Sequence, residues 1–268
     1  MPLTAFRPYP THGDHPYYEA LKMLFDPFSF ERTAQLLHLS KDRRCLDVGT
    51  GTGSYAYHLA GLVEPDGVVL ATDLEPAVTV EHSSLTVLQH DIVHDPLPGT
   101  FDFIHARLVL GYLPEREEVL AKLVQALNPN GRILIEDLDE SSTDTVLHAP
   151  SLEAAARYSL FQETLTKRVL AASEVDFTWP RRLHALLTDA GLIHVESEVH
   201  ARGWIGGEED GAEYVKSQIA FLHDRLIAAG LSAQLLAEVT ELLDNPDLVL
   251  AGQPLYSVSG RRRVEDGN

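Results

Sequence analysis

The hydrophobic rhythm of the chain changes twice. Residues 17–39 carry apolar positions at helical spacing and predict a helix, with Ala34 and Leu37 on one face and Leu36 at its edge. A break is expected around Asp26-Pro27, because proline lacks the amide donor and its ring crowds the preceding turn. From Cys45 the pattern becomes short apolar runs alternating with amphipathic stretches. CLDV, VVLATDL, LTVLQHD, the start of FDFIHARLVL, and RILIEDL read as strands. YAYHLAGLV and EREEVLAKLVQAL read as helices, the second with a stripe of Val119, Leu120, Leu123, Val124 and Leu127. Asn128-Pro129-Asn130-Gly131 is expected to end that helix and turn the chain.

After Glu140 the rhythm is interrupted. Residues 151–173 predict one long helix, RRLHALLTDAGL another, and 211–230 and 232–243 two more, with Ser232 as an N-cap and Asp244-Asn245-Pro246 as a stop. IHVESEV and PLYSVSGR alternate as strands. The expectation is an α/β fold: a Rossmann-like, doubly wound, mostly parallel sheet of seven strands, with an N-terminal helical arm and a helical insert. The expected organisation is a single domain. An arm or lid covers 1–44, with 1–16 extended, and a cofactor-binding core covers 45–140. A helical cap covers 141–180, and 181–268 completes the core with strands six and seven.

Composition narrows the function. The 268 residues are 44% hydrophobic and 23% charged, an ordinary globular balance. No apolar run approaches the ~18 residues of a membrane helix, and the start shows no secretion signal. Cys45 is the one cysteine, so an intramolecular disulfide and a four-cysteine zinc site are excluded. A cytoplasmic location is expected. The formal charge of −19 disfavours nucleic-acid and anionic-membrane partners, since phosphate backbones are bound through cationic surfaces. Arg261, Arg262 and Arg263 read as a solvated tail.

The candidate chemistry begins at Asp47-Val48-Gly49-Thr50-Gly51-Thr52-Gly53-Ser54. A strand, a glycine turn and a helix aim backbone N–H groups at one place. Gly51-x-Gly53-x-x-Ala56 also fits a dinucleotide fingerprint. Asp47 opposes that reading, because a carboxylate beside the turn repels a pyrophosphate and suits an amino group. Asp73 ends the next strand, where a carboxylate accepts from a ribose diol. Asp91 ends the third, where it would accept from an adenine amine with Ile92 against the ring. Each acid alone reads equally as a solvated loop residue or helix cap. Together they describe a ligand with an ammonium, a ribose and an adenine but no phosphate. S-adenosylmethionine fits.

At these residues the sequence resembles the class I S-adenosylmethionine-dependent methyltransferases. The resemblance rests on LDVGTGTGS, TDLEP, QHDIVHDPLP, FDFIHARLVLGYLP and ALNPNGRILIED, in order, over about 17–140. The later stretch is similar to the bacterial branch that modifies small molecules. The resemblance implies that Gly49, Thr50, Gly51 and Gly53 line the methionine part, with Asp47 holding the ammonium. It implies that Asp73 and Leu74 contact ribose and adenine, and Asp91 and Ile92 the adenine. His105, Ala106 and Arg107 would close the pocket beside the substrate, and Tyr17 of the arm joins the cofactor contacts. No Asn-Pro-Pro-Tyr type motif follows the fourth strand, so the chemistry of DNA and glutamine methylases is not supported.

Methyl transfer from a sulfonium is an in-line displacement, and a base is needed only for a protonated nucleophile. His105 is the first candidate base, and a structural histidine in the pocket wall is the alternative. Arg107 would hold a substrate carboxylate or an acid of the protein itself. Asp137, beside Asp139 and Glu140, is the third catalytic candidate, against a solvated-loop role. His148 is a weaker one. His90 and His94 lack the helical setting of a zinc motif, and no metal is expected. Of the 20 aromatics, five fall in 45–140 and seven in the first 44 residues. That distribution favours an apolar acceptor pocket roofed by the arm and insert. The expected function is methylation, at O, N or C, of a small hydrophobic, aromatic or polyketide-like metabolite of secondary metabolism, such as antibiotic biosynthesis. Two other readings stay open: an enzyme of this fold that uses the bound cofactor for a reaction such as cyclisation, and a non-catalytic binding partner. A nicotinamide oxidoreductase is opposed by Asp47. A homodimer through the arm or insert is compatible with the sequence, which does not fix the oligomeric state.

Overall fold

A computed structural model describes residues 15–37, 42–173, 175–208 and 210–264. Residues 1–14 of the expected extended arm lie outside them. Among the described residues the helices are α1 (Pro16–Leu37), α2 (Ser54–Val63), α3 (Arg116–Gln125), α4 (Leu152–Thr164), α5 (Leu183–Asp189), α6 (Gly211–Ala228) and α7 (Ala233–Leu242). The strands are β1 (Arg44–Val48), β2 (Val68–Asp73), β3 (Leu85–Gln89), β4 (Phe101–Arg107), β5 (Leu127–Leu138), β6 (Val146–His148), β7 (Ile193–His200), β8 (Gly203–Ile205), β9 (Val249–Ala251) and β10 (Leu255–Arg261).

The chain divides into two compact units. One comprises Phe25–Leu138, Thr178–His200 and the stretch from Leu255 on. It holds a seven-stranded sheet in the order β3-β2-β1-β4-β5-β10-β7. The first five strands run parallel, and β10 lies antiparallel to both β5 and β7. This is the expected Rossmann-like arrangement. Its central strands are buried on both faces, so each alternation of side chains feeds a separate core. Leu46, Val48, Ile104, Ala106, Ile133 and Ile135 serve the core shared with α3 and α5. Cys45, Phe103 and Leu134 serve the other, with Tyr55, Ala56 and Leu59 of α2.

The second unit comprises the chain up to Leu24, Asp139–Phe177 and Ala201–Pro254. It holds α4, α6 and α7 with a three-stranded sheet, β6-β9-β8. The stretch expected as an insert at 141–180 falls in this unit up to Phe177, its last three residues belong to the sheet unit, and residues 201–254 group with the helical one. Among the described residues no helix is long and apolar enough to cross a membrane.

Four local expectations are corrected. Helix α1 continues through Pro27 instead of breaking there. Phe25, Ser29, Thr33 and Leu36 are all buried, at helical spacing, and this burial outweighs the ~3 kcal/mol that an interior proline costs. Asn128–Gly131 does not separate α3 from its strand but lies inside β5, where the register to β4 shifts between Phe101 and Phe103. Gly131 is required there, since a Cβ would meet Asn128 O at 2.8 Å and Phe101 O at 3.0 Å. The 151–173 helix is three windings: α4, capped by Ser151, then a π-turn at Leu165–Val169 and a 3₁₀ turn at Leu170–Ala172. The three-residue strands β6, β8 and β9 were not expected at all.

Candidate functional site

The site lies at the carboxyl ends of β1, β2 and β4. Gly49, Gly51 and Gly53 all adopt positive φ, at 68°, 54° and 86°. The turn is pinned to β2: Thr50 N–H donates to Thr72 O at 3.0 Å, and Gly51 N–H to Asp73 Oδ2 at 2.9 Å. The other oxygen of Asp73 accepts from Glu75 N–H at 3.0 Å. Gly53 caps α2 in the left-handed conformation and brings no side-chain cap to the orphan N–H groups of its first turn. A Cβ at Gly53 would lie 2.8 Å from Val78, whereas one at Gly51 meets nothing within 4 Å. Gly51 therefore borders open space.

Strand alternation builds the polar floor. On the α2 face, one alternation beyond the apolar row of Cys45, Phe103 and Leu134, stand Asp47, His105 and Glu136. Asp47 lies opposite His105 in the β1–β4 register. His105 Nδ1 is 2.7 Å from Asp47 Oδ1, and Nε2 is 3.4 Å from Glu136 Oε2. All three are buried, at 2%, 1% and 0% exposure. Burial alone would lower the imidazole pKa, but the hydrogen bonds and charges of Asp47 and Glu136 outweigh it and raise it. Burial alone would raise Glu136, but His105, Arg107 and Ser29 hold its carboxyl below the usual range. Tyr55 of α2 stacks on the imidazole with 3.4 Å between centroids. Asp47 Oδ2, Glu136 Oε1 and Thr50 Oγ1 are buried without a partner.

The other expected residues fall as follows. Arg107 donates to Ser29 Oγ at 2.9 Å and pairs with Asp26. Asp137 faces the opposite core, accepting from Trp179 Nε1 at 3.0 Å and Gly111 N–H at 3.3 Å. His105, Arg107 and Asp137 are thus each engaged by the protein's own groups. Asp91 binds its own turn, through Val93 N–H at 2.9 Å and His94 Nδ1 at 2.9 Å. Ile92 and Ala106 pack in the core, while Leu74 is 40% exposed. Tyr17 belongs to the other unit, where its ring meets Tyr18 and Tyr214. His90 and His94 do not converge: the first contacts Pro96 O and the second Asp91. Several aromatics expected around an acceptor pack within their own unit. Phe28 stacks on His200 and Phe30 on His58 in the sheet unit, and Tyr158 meets Phe161 edge-on in the helical one. Sequence reading missed Glu136, whose signal is the first of two adjacent acids inside the apolar run ILIEDL, and it missed Ser29 and Trp179 as partners.

Comparison with known proteins places this geometry. Residues 24–196 match the family described as a methyltransferase domain. The chain belongs to the methyltransferase domain family. Methyltransferase str2 of Strobilurus tenacellus is 36% identical over 104 residues, 38% of each chain. The match thus spans well under half the length of that curated relative. Among solved structures, YcgJ of Bacillus subtilis aligns over 88% of this chain and 99% of its own, with TM-score 0.56 and 14% identity. The phosphoethanolamine N-methyltransferase 2 of Haemonchus contortus, in complex with phosphomonomethylethanolamine and S-adenosylhomocysteine, aligns over 91% of this chain and 56% of its own, with TM-score 0.52 and 14% identity. These two likenesses confirm the fold.

S-adenosylmethionine is the cofactor of this family, and this methyltransferase domain has the groups to hold it. A partnerless buried carboxylate oxygen is costly until a donor reaches it. Asp47 Oδ2 is such an acceptor, two residues before a turn whose Gly51 leaves room for a close approach.

Proposed function

We propose that this chain is an S-adenosylmethionine-dependent methyltransferase acting on a small hydrophobic metabolite, aromatic or polyketide-like, in secondary metabolism. The observation that carries it is the pairing of the open glycine turn at Gly51 with the unsatisfied Asp47 carboxylate. Bound, the cofactor supplies an electrophilic methyl on a sulfonium. The chain's own part is placement. The glycine turn lets backbone approach the methionine portion, Asp47 offers an acceptor to its ammonium, and Asp73 fixes the turn from β2. Asp73 also places its carboxylate at a strand end suited to a ribose. With both ring nitrogens of His105 against carboxylates, no lone pair remains there for a substrate proton. Arg107 and Asp137 are likewise committed to internal partners. Catalysis is therefore assigned to proximity and alignment, which supply about 7–11 kcal/mol in favourable cases. The aromatic residues concentrated outside 45–140 support an apolar acceptor.

Calorimetric titration of wild type and Asp73→Ala with S-adenosylmethionine and S-adenosylhomocysteine, with NADH as control, tests the cofactor. Micromolar binding of both sulfur nucleosides, lost in the variant, is the expected result. An aromatic and polyketide panel read by S-adenosylhomocysteine release then tests the acceptor. Folded wild type that binds neither nucleoside overturns the reading.

A further inference from the structure

The buried row across β1, β4 and β5 contains two carboxylates and one imidazole. A neutral imidazole has a single N–H and can donate to only one of them. The other carboxylate would then face a ring lone pair from inside the protein, an arrangement that nothing offsets. Donation from both ring nitrogens satisfies both contacts at once, and it requires the imidazolium. The surroundings hold that ion still. Tyr55 stacks on the ring 13° from parallel, and its hydroxyl is tied to Thr33 of α1. Glu136 is steadied by Ser29 and by the charge of Arg107, which is itself paired with Asp26.

Two carboxylates against one imidazolium leave the row one negative charge in excess. Asp47 Oδ1 is taken by His105 and Glu136 Oε2 faces the same ring, which leaves two buried oxygens without a partner, Asp47 Oδ2 and Glu136 Oε1. Of the two, only Asp47 stands two residues before the glycine turn, beside the open space at Gly51. Resting on the cofactor reading above, we propose that His105 is a positioning residue: by holding Asp47 through Oδ1 it presents Oδ2 as the acceptor for the ammonium of the bound nucleoside. His105 touches neither the methyl nor the acceptor. It acts through Asp47, and the arriving cation completes the charge balance of the row.

This role separates ligands by one group. S-adenosylhomocysteine carries the ammonium, and 5′-methylthioadenosine shares its adenosine but lacks the amino-acid tail. The test measures the Kd of both on wild type and His105→Gln, which keeps one amide donor and removes the double one. Loss of a charge-assisted bond predicts a Kd for S-adenosylhomocysteine raised about 10-fold, with that for 5′-methylthioadenosine changed by less than about 2-fold. A general collapse of the pocket would weaken both alike, and that result overturns the proposal, as does a variant that binds both as wild type does. Should the variant not fold, the ¹⁵N spectrum of wild-type histidines with S-adenosylhomocysteine bound decides alone. Both His105 nitrogens protonated at neutral pH supports the proposal, and a lone pair on either overturns it. Wild type that binds 5′-methylthioadenosine and S-adenosylhomocysteine equally well also refutes it. Wild type that binds neither refutes the cofactor reading itself, and this proposal with it.

Discussion

A methyl group on Gly49 would lie 2.2 Å from Cγ2 of Val109. Val109 sits just past β4, so the first turn glycine is confined by its neighbour as well as by its φ of 68°. Gly51 has a similar φ but nothing within 4 Å. The two alanine variants should therefore fail differently. Gly49→Ala combines a left-handed residue with an overlap and should lose about 3 kcal/mol of stability. Gly51→Ala carries only the backbone strain, about 1–2 kcal/mol, yet should lose at least ~10-fold in affinity for S-adenosylhomocysteine. Urea unfolding and calorimetry on both variants check this. Equal stability losses, or unchanged binding in Gly51→Ala, would count against the assignment of open space to the ligand.

Asp137 should make stability depend on pH. Burial pushes its carboxyl up to about 7, against the lowering effect of the bonds from Trp179 and Gly111. An unfolded aspartate titrates near ~3.9. Between those values the folded protein binds the extra proton, so stability falls as pH rises from about 4 to about 7 and is level above. The change is on the order of 4 kcal/mol. Asp137→Asn keeps an acceptor for both donors and removes the titration. Denaturation at pH 5 and pH 8 should show a steeper loss in wild type than in the variant; parallel slopes would refute the assignment.

Arg107→Ala should loosen the second half of α1. The guanidinium and the Asp26 carboxylate are 11% and 14% exposed, so removing one partner strands the other away from most water. A cost of about 3 kcal/mol is expected, with faster amide exchange around residues 26–33. Arg107→Lys keeps the charge but loses the fork that reaches Asp26 and Ser29 together, and should recover only part. Exchange in α1 unaltered by either change would show that the pair does not hold the helix.

Pro27→Ala should stabilise the protein by about 1 kcal/mol, because it returns a backbone donor inside a helix that already runs through the position. A lower melting temperature in the variant would contradict that.

Much of the sheet was legible in the sequence. β1, β2, β4 and β5 are buried on both faces and read as short apolar runs, and the intervening helices carry clear stripes. The glycine turn and Asp47 were legible because their chemistry is local. The partners of His105, Arg107 and Asp137 were not. Asp47 and Glu136 lie 58 and 31 residues from His105, and only strand order brings them to its two nitrogens. A histidine at a strand end looks the same whether it meets a substrate or two carboxylates. Pro27 misled for a related reason: local propensity predicts a break, and the burial that overrides it is tertiary. Strands β6, β8 and β9 have three residues each, too few for any periodicity to show.

The strand order also bears on how the chain folds as it leaves the ribosome. β7 has one neighbour in the sheet, β10, and β10 is inserted between it and β5. More than fifty residues separate the end of β7 from the start of β10 in the sequence. The five parallel strands complete their pairings with each other as soon as β5 has emerged, whereas β7 waits, its backbone donors and acceptors unsatisfied, until β10 arrives. A nascent chain halted anywhere in that interval has two open edges, one on β5 and one on β7, and the single late strand β10 closes both.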